Sequence, residues 1–308
     1  MKIGKSLLVQ KKAQYTGHRD CVYALEQGAN EHTFFSSGGD GFLVGWDLRK
    51  PDTGQLMAQI PSSVYALYHH KPSQTLFVGQ NGDGLHAIDL AQNKEAKSLH
   101  LGSFLIFDIT LVVDTLVVAA ENGNIYLVDF QFFTIKNIFS FSDKSARCLA
   151  FSRVHNQLAV GYSDGFIRIF DTDTWTLAQQ WQAHDLSVFT LQYSPCGRWL
   201  VSGGRDAKIR VWDIAQKYAE NQMIAAHLFA VNHLVYAPDG AYFASASMDK
   251  TIKIWNAANF QLLKVIDKAR YGGHGSSVNK LLWLENRQIV SVSDDKSAIV
   301  WGTNLWEE

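Results

Sequence analysis

Pairs of an apolar residue followed by Asp, Asn or Gly recur along the chain at Trp46-Asp47, Ile88-Asp89, Val128-Asp129, Phe170-Asp171, Trp212-Asp213, Trp255-Asn256 and Trp301-Gly302. Successive pairs are 42, 40, 42, 42, 43 and 46 residues apart. A period of this kind constrains architecture more than any single motif, because each unit must be one structural module that buries its faces against the next. No composition shift or linker interrupts the seven units, so the chain reads as one domain spanning 1–308.

The modules are built of short strands. The runs VFTLQYSP, WLVSGG, KIRVWD and LAQQWQ of the fifth unit have strand length and are separated by turn-forming clusters such as Ser194-Pro195-Cys196-Gly197. The sixth unit repeats the pattern with VNHLVYAPDG, FASAS, TIKIWN and QLLKVID, its first hairpin turning at Pro238-Asp239-Gly240. Four strands per unit are expected. Runs such as LFVG, TLVVAA and FIRIF are apolar without alternation, so the sheets are covered on both faces.

Four units share a polar signature at nearly fixed spacing. His18, His184 and His227 precede Asp40, Asp206 and Asp249 by 22 residues, and His274 precedes Asp295 by 21. Ser36, Ser202, Ser245 and Ser291 stand four before each Asp, and Trp46, Trp212, Trp255 and Trp301 stand six after it. The donor and acceptor inventory allows one chain of bonds per unit: imidazole N–H to carboxylate, serine hydroxyl to the second imidazole nitrogen, indole N–H to the serine oxygen. These sixteen residues are therefore assigned a structural role.

The dipeptide Gly17-His18, its variants Ala183-His184, Ala226-His227 and Gly273-His274, the turn aspartates and the Trp-Asp ends resemble the WD-repeat (WD40) family over roughly residues 2 to 302. The resemblance implies an all-β, seven-bladed β-propeller of four-stranded antiparallel blades, acting as a non-enzymatic scaffold for partner proteins or peptides. Units two to four lack the leading His and the Trp. They carry Asn81 or Asp83, Asn122 and Asp164 at the turn, and are expected to rely on apolar packing alone. Residues 3 to 10 are expected to supply the fourth strand of the seventh blade beside the strand ending at Trp301, closing the ring and removing an exposed edge.

Other functions find less support. The recurring Ser, His and Asp set lacks a nucleophile elbow and any sign of an oxyanion hole, so no catalytic residue is assigned. His69-His70 point to opposite faces of a strand beside Pro72 and read as a surface hairpin, not metal ligands. Gly38-Gly39-Asp40-Gly41 and Gly82-Asp83-Gly84 open no helix and read as turns, not phosphate cradles. No metal or cofactor is expected. A net charge of −1 argues against a chain-wide field for nucleic acid or anionic membrane. A local alternative remains: the segments KKAQYTGH and DKARYGGH, read as loops, bring Lys11, Lys12, Tyr15, Lys268, Arg270 and Tyr271 together in a basic and aromatic pattern that suits RNA. Three scattered cysteines, Cys21, Cys148 and Cys196, and the absence of a long apolar run fit a soluble, cytoplasmic protein, monomeric by itself.

The partner surface is expected where the leading-His loops and the turn aspartates emerge. Positions there are Tyr23, Tyr65, Phe107, Arg147, Phe189 and Asn232 at the starts of first strands, and Arg205, Met248 and Asp294 before the turns. Tyr, Phe, Met and Arg are over-represented at interface centres because they bury much area or add forked donors. Phe107 and Phe189 have a competing assignment, as packing between blades; the others are expected to be accessible.

Overall fold

A computed structural model describes residues 7–51, 53–285 and 287–303. These residues form seven four-stranded antiparallel sheets arranged as the blades of a propeller. The innermost strands are Val22–Gln27, Val64–His70, Ile106–Val112, Ala146–Ser152, Val188–Tyr193, Val231–Tyr236 and Val278–Trp283, and each packs against the inner strands on either side.

Apolar runs without alternation become strands buried on both faces: all six residues of Thr115–Ala120 are buried. The buried apolar side chains divide into seven clusters, each astride one seam between blades. No blade owns its core, so no blade is stable without its neighbours. The run LAQQWQ lies in Thr176–Gln182, the outer strand of the fourth blade; the fifth blade instead ends with Ala219–Ala225. Its phase was misread because a leading outer strand and a trailing one have the same period.

The ring closes through the N-terminal part, with a corrected register. The closing strand is Val9–Thr16, antiparallel to Ser297–Thr303, with Gln10 opposite Gly302 and Tyr15 opposite Ala298. Of the expected span 3 to 10, residues 3–6 lie outside the described residues, and only Val9 and Gln10 belong to the strand. Its exposed face is polar (Gln10, Lys12, Gln14), as befits an outer edge, while Tyr15 inserts against Phe34 and Trp46 of the first blade with 1% exposure. KKAQYT is therefore strand, not loop. DKARY forms a short helix, Lys268–Tyr271, capped by the Asp267 side chain.

All seven innermost strands carry a β-bulge at the same place, between their first and third residues. The extra residue is left out of the ladder and re-aimed. In chain order these residues are Tyr23, Tyr65, Phe107, Arg147, Phe189, Asn232 and Asn279, and all of them line one central cavity.

Candidate functional site

Four blades each carry one hydrogen-bonded chain of side chains. In the fifth, His184 Nδ1 donates to Asp206 at 2.9 Å, the Ser202 hydroxyl donates to His184 Nε2 at 2.8 Å, and Trp212 Nε1 donates to Ser202 Oγ at 2.9 Å. The same chain joins His18, Asp40, Ser36 and Trp46; His227, Asp249, Ser245 and Trp255; and His274, Asp295, Ser291 and Trp301. The four serines are fully buried. Each Asp also accepts from a backbone N–H two residues on, which shapes the turn. Burial alone would raise the carboxyls of Asp206, Asp249 and Asp295, but hydrogen bonds and charge from their histidines bring them below the usual range. Burial lowers the imidazoles of His18 and His227 even beside a carboxylate, so both are neutral near pH 7.

The degenerate blades do not rely on apolar packing alone. In the second, Asn81 donates to Ser63 Oγ and accepts from Ile106 N, while Asp83 bonds His86 and His100 at 3.1 and 2.7 Å. In the third, Asn122 donates to the Tyr126 hydroxyl at 2.9 Å. In the fourth, Asp164 accepts from Ser142 at 2.8 Å and from Arg168 at 3.0 Å. Each turn needs its polar group satisfied, and the sequence meets the need with different partners at different offsets. His69 is likewise not a surface residue: it is buried at the first seam, with Nδ1 donating to Gln27 O at 2.9 Å, whereas His70 packs on Phe130.

The nine residues expected at the partner surface all line the central cavity, which has a volume of about 830 Å³. The bulges place five of them in an unbroken arc. Tyr23 meets Tyr65 edge-on at 4.8 Å between centroids, Tyr65 stacks on Phe107 at 6.0 Å, and the Arg147 guanidinium sits 3.8 Å from the Phe107 centroid and 5.0 Å from that of Phe189. Phe107 and Phe189 are half-buried and line the channel, where they also pack against side chains of neighbouring blades. Arg205 and Met248 are exposed. Asn232 and Asp294 are less available than expected. Asn232 donates to Ser277 Oγ and Val278 O, bridging the sixth and seventh blades, and Asp294 accepts from Asn279. Asn279 itself, which also donates to Val22 O across the closing seam, was legible from the repeated Val-Asn dipeptide at 231–232 and 278–279.

Three further apolar residues stand exposed on this face: Leu186, Leu228 at 85% and Phe229 at 59%. They lie one or two residues after the leading histidines of the fifth and sixth blades, in Asp185-Leu186 and Leu228-Phe229, where the first and seventh have Arg19-Asp20 and Gly275-Ser276; that contrast in the sequence could have found them. Deeper in the channel lie Glu26, Asp108, His233 and Lys280. Desolvation raises the Glu26 carboxyl to about 7, raises Asp108 and lowers His233. Asp108, Thr190 and His233 each accept the N–H of Leu149, Leu234 or Leu281 on the next inner strand, tying blade to blade.

The basic and aromatic segments do not form a stacking platform. Tyr15 is core, Arg270 is paired with Asp267 at 2.7 Å, and Lys11 donates to Gly272 O and Gln14. Among the described residues there is no cluster of three or more His, Cys, Asp or Glu able to hold a metal, the three cysteines are free, and no helix is long and apolar enough to cross a membrane.

The WD domain, G-beta repeat family matches residues 9–47, 175–213, 220–256 and 266–302, and the anaphase-promoting complex subunit 4 WD40 domain matches 110–188. The chain is a WD-repeat β-propeller. Its repeats are similar to those of centriole proteome protein 16 of Chlamydomonas reinhardtii, 39% identical over 72 residues, which is 23% of this chain and 4% of that protein. They are also similar to WD repeat-containing protein 91 of Danio rerio, 32% identical over 100 residues, which is 31% of this chain and 14% of that protein. The propeller therefore spans a small fraction of the length of these relatives. The WD40 β-propeller domain of Doa1 superposes with a TM-score of 0.83, covering 96% of this chain and 97% of the other at 16% identity, a likeness of fold. WD-repeat propellers generally serve as protein-interaction scaffolds.

Proposed function

We propose that this chain is a non-enzymatic, cytoplasmic scaffold, a single propeller domain that binds a partner polypeptide over the channel mouth where the leading histidines and turn aspartates lie. The observation that carries this reading is the arc from Tyr23 to Phe189. Five large side chains on five consecutive blades are held half-exposed around one cavity, each on the bulge that removes it from the sheet. The ladder gains nothing from these residues, whereas a partner could bury their rings and use the guanidinium fork. Exposed Leu228, Phe229 and Met248 extend the apolar area on the same side. Partner contact is assigned to Tyr23, Tyr65, Phe107, Arg147, Phe189, Arg205 and Met248, with Asn232 and Asp294 holding the rim.

The test is capture of partners from the native source by the intact chain. Tyr23→Ala, Tyr65→Ala and Arg205→Ala should each keep the fold and weaken capture, while a change at His70, on the opposite face, should not. Equal capture by all four variants refutes the reading.

A further inference from the structure

Arg147 is the one cation in the arc, and its setting differs from that of the other clamped arginine in its blade. Arg168 lies over Tyr162 and Phe166 and is paired with Asp164 at 3.0 Å. Arg147 lies between Phe107 and Phe189, yet among the described residues no carboxylate pairs with it and no acceptor bonds its N–H groups. Glu121, on the same cavity wall, is turned to the backbone N–H of Leu105 at 3.1 Å. With its central carbon 3.8 and 5.0 Å from the two ring centroids, the guanidinium still carries donors that form a fork matched to two oxygens on one atom. Packing between the two rings restricts the side chain before any ligand arrives, which lowers the ordering cost of binding.

We infer that Arg147 receives a single carboxylate, the side chain of an Asp or Glu in the partner polypeptide, flanked by an aromatic residue that packs on Tyr65 and Phe107. This rests on the scaffold reading above. The choice of carboxylate over a phosphorylated side chain comes from the charges around the same cavity. The cavity is lined by Arg205 and Lys280 but also by Glu26, Asp108, Glu121 and Asp294, so no surplus of positive charge awaits a dianion. One fork matches one monoanion.

The probe is a blocked pentapeptide of sequence Gly-Phe-Glu-Phe-Gly, titrated into the intact chain by NMR beside its Gln and phosphoserine counterparts. The Glu peptide should bind about tenfold or more tightly than the Gln peptide, as expected for a charge-assisted bidentate bond. Arg147→Gln should bring that ratio close to one, and Arg147→Lys, which keeps the charge but loses the fork, should fall between; wild-type melting of both variants establishes folding. The inference is overturned by an unchanged ratio in Arg147→Gln, by no saturable binding of the Glu peptide up to about 5 mM, or by an Arg147-dependent preference for phosphoserine. Partner capture separates the two readings. If Tyr23→Ala and Tyr65→Ala lose the partner and Arg147→Gln retains it, the scaffold stands and the carboxylate receptor falls.

Discussion

Removing one hydroxyl from the fifth blade should destabilise the propeller more than its size suggests. Ser202 is fully buried and serves two neighbours, donating to His184 Nε2 and accepting from Trp212 Nε1. Ser202→Ala leaves both nitrogens buried without a partner, at about 1–3 kcal/mol each, or about 2–6 kcal/mol together. For a chain of 308 residues the unfolding entropy is large, and each kcal/mol moves the midpoint by roughly 1.5 °C. The expected fall in Tm is therefore roughly 3–9 °C, read by differential scanning calorimetry alongside denaturant titration. A double-mutant cycle isolates the cause. In a Trp212→Phe background the indole N–H is already gone, so Ser202→Ala should cost about 1–3 kcal/mol less. A Ser202→Ala variant within about 0.5 kcal/mol of wild type, or a cost unchanged by Trp212→Phe, refutes the hydrogen-bonded chain as the source of stability. Asp206→Ala should also lower Tm, but less, because its carboxylate sits nearer the surface than the serine.

Acid should act through the same chains. Folding lowers the carboxyls of Asp206, Asp249 and Asp295 and the imidazoles of His18 and His227, so the unfolded state binds more protons. Stability is then present above the unfolded values, 6.5 for His and 3.8 for Asp, and is lost as pH falls below them. The contribution of these histidines and aspartates should be flat from about pH 8 to 7 and decline below about 6.5. Glu26 runs the other way: its carboxyl, raised from 4.5 to about 7, costs stability as pH rises through that window. Glu26→Gln should raise Tm by about 2 °C or more at pH 8 and lose the gain near pH 4, and a gain equal at both would contradict the assignment. Deleting the first twelve residues removes Val9 to Lys12 from the closing strand, and light scattering should detect aggregation, or calorimetry a loss of the native transition; a monomeric variant with unchanged melting would count against closure by this strand.

The sequence was most informative where a repeat enforces identical chemistry. His184, Ser202, Asp206 and Trp212 are read correctly because geometry fixes their spacing, and three more blades repeat it. It was least informative where a physical need has several solutions. Asp164 must be satisfied as Asp206 is, but Ser142 and Arg168 answer the need from positions that no spacing rule marks. The closing strand lies later than residues 3 to 10 because SLLVQ parallels the outer strand QLLKVID in sequence, whereas QKKAQYT, with its polar side facing solvent, looks like a loop. The arc from Tyr23 to Phe189 was foreseen as a set of positions. Its continuity was not, since it depends on seven bulges that leave no local composition signal.

The closing strand also sets a clock for synthesis. Thr16 leaves the ribosome long before its partner Ser297, and a separation of 281 positions (297 minus 16) takes roughly 15–60 s to translate. Throughout that interval the nascent chain holds up to six blades whose seventh does not yet exist. Tyr15 and the seam face of the first blade wait in water for Val290, Val292 and Val300. A chaperone that shields that face until translation passes Thr303 would protect the open ring there, and slowing translation anywhere between Thr16 and Ser297 would lengthen the exposure.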